Sequence, residues 1–257
     1  MANIHEFIRF ALTHVKKASA PVDAIYPIPY ERIGSEGEWE CLEGTKGEIA
    51  THELLEECWK NHYSKHISYS REQYKKATEG WVERQVMVGD CVGLLSKFLD
   101  LSTTANGVFV KHCTQKGAID DINRPWVIGE AVFNGTSTKK AHIGWVCGFE
   151  HSGKPLFLHN RGLMYGCVIT RESEYKWEYR GLMTKLFSYE EIIEVPSVLR
   201  IKTPLMRGDD IKALQIALNA LGYYCGVPDG ICGEHTIKAI AKFCKAHSFL
   251  LTDSTPK

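Results

Sequence analysis

The sequence has no surplus charge of either sign: 31 Lys and Arg stand against 31 Asp and Glu over 257 residues. Nucleic-acid and acidic-membrane binders draw much of their affinity from excess Lys and Arg, so neither is expected as a partner. Also missing is any apolar run near the roughly 20 residues that span a bilayer, so membrane insertion is not expected. There is no internal repeat and no low-complexity segment. No Cys-x-x-Cys pair occurs among the nine cysteines, which removes the commonest zinc and redox patterns. The stretch from Met1 to Lys17 carries His5, Glu6 and Arg9 inside its apolar pattern and lacks the basic-then-apolar order of a secretory signal. An odd number of irregularly spaced cysteines is then expected as free thiols made in a reducing compartment.

What is present is an ordinary globular composition, 44% hydrophobic and 24% charged, in two parts of different character. The seam lies between Glu194 and Asp210, where Pro196 and Pro204 bracket a polar stretch, and the expected domains are 1–197 and 198–257. In the first, Ile4 to Val15, Thr51 to Tyr63, Ser70 to Ala77 and Cys91 to Leu101 read as helices, and residues 18–48 as loop-rich. Strands are expected over Pro125 to Phe133, Ala141 to Phe149, Pro155 to His159 and Cys167 to Thr170. Helices followed by antiparallel strands make an α+β domain. In the second part, Ile211 to Leu221 reads as a helix closed by Gly222. A turn is expected at Pro228-Asp229-Gly230, and another helix with Thr236 as its N-cap.

Within the first part, Gly89-Asp90 leads straight into a helical pattern, which places Cys91 in a first turn where the helix dipole lowers a thiol pKa. A thiolate nucleophile needs a base, and the base needs an orienting group. His142 opens one expected strand and His159 closes the next. With a four-residue loop between them, Phe149 faces Lys154 and His159 faces Gly144, which makes His142 and His159 diagonal neighbours on one face. An odd-length loop puts them on opposite faces. Cys91, His142 and His159 are thus the candidate nucleophile, base and orienter.

Three segments carry a resemblance: Asp90-Cys91-Val92-Gly93-Leu94, His142-Ile143-Gly144-Trp145-Val146-Cys147-Gly148 and Leu158-His159-Asn160-Arg161-Gly162. In order and spacing they resemble the NlpC-like cell-wall cysteine peptidases, a papain-related family, with Gly44 to Glu48 similar to the segment before the catalytic helix. The resemblance implies papain-like helices packed on an antiparallel sheet, with Cys91, His142 and His159 as the catalytic set. Two residues depart from the family pattern. Val92 stands where the family has serine. Cys41 stands three before Gly44, where members carry a tyrosine that polarises the scissile carbonyl. Tyr26, Tyr30, Trp39 or backbone N–H groups at the start of the Cys91 helix are the candidate replacements.

A second resemblance covers the end of the chain. Leu205 to Gln215, Leu221 to Tyr224, and Asp229-Gly230-Ile231-Cys232-Gly233 are similar to the three-helix peptidoglycan-binding domain. Together the two imply a peptidoglycan hydrolase, endolysin-like, tethered to the bacterial cell wall. The implied target is the γ-D-glutamyl bond to the third stem residue. An N-acetylmuramoyl-L-alanine amidase uses the same scaffold, and a catalytically inactive wall-binding protein is the rival from another class. Such a protein is expected to be made in the cytoplasm and to reach the wall by release or non-classical export.

No cofactor or metal is expected. Cys58, His62 and His66, with His52 or Cys41, have ligand-like spacing, but Lys60, Asn61, Ser64 and Lys65 make that segment a solvated surface. Cys225 and Cys232 flank one turn and are expected as free thiols. Tyr175, Trp177 and Tyr179 alternate as on one strand face, where packing is the default role.

Overall fold

The computed structural model describes residues 1–65, 69–150, 152–189, 205–220 and 222–246. The chain forms two compact units, 1–192 and 193–257. The expected boundary at 197/198 falls outside the described residues.

Unit 1 is α+β. Helix α1 (Ile4–Leu12) starts where the Asn3 side chain accepts from the amides of His5 and Glu6, at 2.8 and 3.4 Å. Its apolar face, Ile4, Phe7, Ile8, Ala11 and Leu12, is buried. Helix α2 (His52–Asn61) is capped by Thr51, and α3 (Arg71–Ala77) by a reciprocal Ser70–Gln73 capping box. Residues 18–48 are not all loop. They contain β1 (Trp39–Cys41) and the start of β2 (Lys46–Ile49), which flank β3 (Met87–Gly89) in a three-stranded sheet, β1 parallel and β2 antiparallel to it. These strands are too short to show a period, and β1 finds its partner far away in sequence.

Helix α4 (Gly93–Leu99) begins two residues after Cys91, not at it. Asp90 is the reason: its side chain accepts from the Val92 amide at 2.9 Å and its carbonyl from the Gly93 amide at 3.0 Å, which makes a turn before the helix.

The main sheet is antiparallel. Strands β4 (Thr114–Ala118), β5 (Ala131–Gly135), β6 (Lys140–Glu150), β7 (Pro155–Asn160), β8 (Cys167–Arg171) and β9 (Tyr179–Leu182) lie in the order β8-β7-β6-β5-β9-β4, and Ala24–Ile25 adds to the far end of β6. The strand expected from Pro125 starts only at Ala131. The chain before it turns to place fully buried Glu130 between Arg124 and Arg180, each 2.6 Å away.

Alternation along β6 divides the core. Ile143, Trp145 and Cys147 belong to the cluster that includes α1, where Phe7 meets Trp145 edge-on at 5.1 Å. Val146 lies in a second cluster with Val132, Phe157 and Trp177, so both faces of the sheet are covered.

Unit 2 contains α5 (Asp209–Ala220) and α6 (Glu234–Ala246); of the three helices implied by resemblance, these two are described. Gly222, with φ +82°, follows α5. Its amide bonds to the Asn219 carbonyl at 3.0 Å and that of Tyr223 to Leu218 at 2.8 Å, closing a Schellman motif. Thr236 lies inside the first turn of α6, not at its cap. There it receives a bond from the buried Gln215 amide at 3.0 Å.

Candidate active site

The turn carrying Cys91 is fixed from three sides. The Asp90 amide bonds to the Thr45 carbonyl at 2.8 Å, and the Asp90 carboxylate to Lys46 Nζ at 2.8 Å. From the main sheet, Asn160 Nδ2 donates to the Gly89 and Asp90 carbonyls at 3.0 and 2.8 Å. Gly89 admits nothing larger, since a Cβ there would lie 2.4 Å from Trp39 Nε1. Burial pushes the Cys91 thiol up to about 12, and the Asp90 carboxylate adds to this. Lys46 and the amides of Ile143 and Cys91 pull the other way without prevailing. The depression expected from a helix dipole is therefore absent: α4 starts later, and its foremost amides are already taken by Asp90.

His142 and His159 share one sheet face, by a route different from the expected one. The Glu150 amide bonds to the Lys154 carbonyl at 2.8 Å, leaving an odd number of residues between them. Phe149 then faces Pro155 and Gly148 faces Leu156, one step off the register read from the sequence. A bulge at Cys147 adds a second odd step, so Val146 faces Phe157 and Trp145 faces Leu158. The two shifts cancel at the end of the hairpin that carries the histidines. His142 Nε2 lies 2.9 Å from His159 Nδ1, and His159 Nε2 lies 3.2 Å from Thr170 Oγ1 on β8.

Two aromatic side chains wall this pair. Trp177 stacks on His142 at 5.7 Å with an interplanar angle of 9°, and Tyr175 meets His159 at 4.6 Å. Gly144 makes room for Trp177, because a Cβ there would lie 2.8 Å from its ring. Desolvation lowers His142 to about 4. His159, with no exposed surface, is held well below its ordinary value by burial and then by its His142 and Arg161 neighbours. Both imidazoles are neutral at pH 7.

Cys91 and His142 open into one cleft of about 700 Å³, with Asn160, Arg161, Tyr63 and Tyr69 among its walls. His159 stands behind His142, away from the opening. Arg161 makes no ion pair among the described residues; its guanidinium lies 4.5 Å from the Tyr165 ring centre and 5.8 Å from that of Tyr175. Cys41 reaches the cleft wall but is buried, with its sulfur 3.8 Å from the Asn160 carbonyl.

The three replacements considered for the family tyrosine lie elsewhere. The hydroxyls of Tyr26 and Tyr30 bond to the Pro21 and Ala20 carbonyls, both at 3.1 Å, and Trp39 is packed beneath Gly89. The tyrosines that do reach the cleft, Tyr63 and Tyr69, come from the segment around α2 and α3. No local pattern marked them. Among the described residues no group of three His, Cys, Asp or Glu is arranged to hold a metal. His66 of the weighed zinc set lies outside the described residues.

In unit 2, Gln215 ties the turn to both helices. Its Nε2 lies 2.9 Å from Asp229 Oδ1, 3.0 Å from the Ile231 carbonyl and 3.0 Å from Thr236 Oγ1, while its Oε1 accepts from the Gly230 amide at 2.8 Å. Gly230 turns the chain with φ +72°. This Leu-Gln helix joined to an Asp-Gly-x-x-Gly turn is the pattern singled out in the sequence. Residues 207–249 match the family described as "Putative peptidoglycan binding domain". No curated protein and no solved structure matches the chain.

The similarity to peptidoglycan-binding domains supports association with the cell wall through the C-terminal unit. That unit leaves Ile216, Tyr224 and Val227 exposed on its surface. Cys225 and Cys232 are both free thiols. Among the described residues no helix is long and apolar enough to cross a membrane.

Proposed function

We propose that the chain is a peptidoglycan hydrolase whose N-terminal unit is an NlpC-like, papain-related cysteine peptidase and whose C-terminal unit tethers it to the wall. The supporting observation is the cleft shared by Cys91 and His142, with His142 Nε2 bonded to the buried His159 at 2.9 Å. In the proposed reaction a neutral thiol gives its proton to the neutral His142 as sulfur attacks the amide carbonyl. The carbon–nitrogen bond then breaks, His142 passes the proton to the leaving amine, and water hydrolyses the resulting thioester. His159 holds the imidazole in place.

The substrate proposed is a stem peptide, with the γ-D-glutamyl bond to the third residue as the target. Arg161 supports a substrate that brings a carboxylate to this cleft, since a planar guanidinium with no ion pair among the described residues suits one. Tethering keeps the catalytic unit near a fixed polymer even when each single contact is weak.

Purified cell walls provide the test. Cys91→Ala is expected to abolish release of soluble fragments while leaving wall retention unchanged, and mass spectrometry of the wild-type products identifies the bond. Release that persists in Cys91→Ala would sink the mechanism.

A further inference from the structure

We infer that Thr170 is a positioning residue that fixes the tautomer of His159 and, through it, leaves the Nδ1 atom of His142 free to accept a proton. The inference rests on the reading of His142 as the base.

Three adjacent strands place the groups in line. On β6, His142 presents Nε2 to His159 Nδ1 at 2.9 Å; on β8, Thr170 Oγ1 lies 3.2 Å from His159 Nε2. The register makes this a repeated diagonal. His159 faces Val168 across the β7–β8 pair, and Thr170 is two residues further along the same face. His159 and Thr170 are both buried, at 0% and 3% exposure, so no solvent competes for these atoms.

Proton counting gives the direction of the chain. A threonine hydroxyl has one proton, and a neutral imidazole has one N–H and one lone pair. The Thr170 hydroxyl also reaches the Phe157 carbonyl, at 3.5 Å, and a carbonyl can only accept. When the hydroxyl proton goes to Phe157, Oγ1 is left as acceptor for His159 Nε2–H. His159 Nδ1 is then a lone pair and accepts from His142 Nε2–H. The unprotonated nitrogen of His142 is therefore Nδ1, the atom a base needs.

The opposite orientation has a different end. A Thr170 hydroxyl donating to His159 Nε2 would put the His159 proton on Nδ1 and the His142 proton also on Nδ1, where it blocks acceptance from a thiol. The Phe157 carbonyl selects between the two states, and Thr170 transmits the selection.

The test is nitrogen-15 NMR of the two imidazoles in the full chain near neutral pH, joined to turnover on cell walls. In the wild type the protons are expected on Nε2 of both His142 and His159. Thr170→Val removes the acceptor for His159 Nε2–H. It is expected to mix or reverse the tautomers and to lower kcat about 10-fold or more with KM little changed. Thr170→Ser keeps the hydroxyl and is expected to restore both readouts, even if Thr170→Val folds poorly.

Wild-type protons on Nδ1 would overturn the inference, as would a fall in kcat for Thr170→Val with the tautomers unchanged. The hydrolase reading fails separately: the expected tautomers with no fragment release from the wild type support the inference and reject the reading. Release with the protons on Nδ1 does the reverse.

Discussion

Asn160 Nδ2 donates to the Asp90 carbonyl at 2.8 Å, so the strand that carries His159 also holds the turn that carries Cys91. The candidate base lies on the main sheet and the candidate nucleophile in the turn after β3 of the small one, and this amide links the two directly. Its other polar atom, Oδ1, is buried with no partner among the described residues. A buried polar group of this kind costs stability unless placement repays it. Here the repayment is geometric: the end of β7 and the start of α4 are held at one spacing.

The acid side of the stability profile follows from the histidines. His142 sits at about 4 in the folded chain against an ordinary 6.5, so between those values the unfolded chain binds a proton that the folded chain refuses. Stability contributed in this way is fully present above 6.5 and is lost as pH falls toward 4. His142 alone accounts for about 3 kcal/mol. His159 and His14, both lowered chiefly by burial, add with the same sign. Urea unfolding between about pH 7 and 5, above the carboxylate range, is expected to show a steep loss that His142→Gln flattens. A profile equally steep in that variant would assign the loss to other groups.

Gly144 carries the aromatic wall. An alanine Cβ would sit 2.8 Å from Trp177 and 3.0 Å from the Leu158 carbonyl, and only the ring can give way. Gly144→Ala is expected to cost about 1–3 kcal/mol. Moving Trp177 off His142 also readmits water, so the His142 pKa should rise from about 4 toward its ordinary value. Proton NMR titration of the imidazole measures this directly. An unmoved titration would show that Trp177 is not what keeps the imidazole dry.

Much of this arrangement was legible in the sequence because it is local. The helices announce themselves through Asn3, Thr51 and Ser70 caps, and the motif islands around Cys91, His142 and His159 stand in the order of the family they resemble. The expected shared face of the two histidines is found, yet the loop argument behind it was incomplete: the bulge at Cys147 corrects a turn of the wrong parity. Thr170 reaches the histidines through pairing between strands and Trp177 from the segment just before β9, and no local pattern encodes either approach. The same holds for Tyr63 and Tyr69. The thiol pKa went the other way because burial outweighs a dipole whose helix begins two residues too late.

Tyr69 is the test of how the developing oxyanion is stabilised in the proposed mechanism. Cys41 occupies the family tyrosine's place in sequence, and the Tyr26 and Tyr30 hydroxyls donate elsewhere; the Tyr63 hydroxyl accepts from the Glu43 amide at 3.0 Å, which leaves its own proton to donate. Tyr69 lines the cleft and meets Tyr63 edge-on at 5.9 Å. Tyr69→Phe is expected to lower kcat by about 10²-fold, the scale of one lost oxyanion donor, whereas Tyr26→Phe should leave it unchanged. Equal rates for Tyr69→Phe and the wild type would return the role to Tyr63 or to backbone amides.

Gln215 separates wall retention from chemistry. Its side chain is 2% exposed and serves the Asp229 carboxylate, the Ile231 carbonyl, Thr236 and the Gly230 amide together. Gln215→Leu keeps the approximate volume but leaves the Gly230 amide and the Ile231 carbonyl without this partner, at a cost of about 2–4 kcal/mol. Unit 2 has a small core built on Leu218, Cys225 and Ala239, so a loss of that size is a large share of its stability. The candidate cleft lies wholly in unit 1, which is compact by itself. Gln215→Leu in the full chain is therefore expected to lose retention on purified cell walls at 37 °C while still cleaving soluble muropeptides at the wild-type rate. Sedimentation with walls and turnover on soluble fragments, measured on one preparation, decide the matter. Full retention would show that unit 2 does not depend on this hub, and a parallel loss of turnover would show that the two units do not act independently.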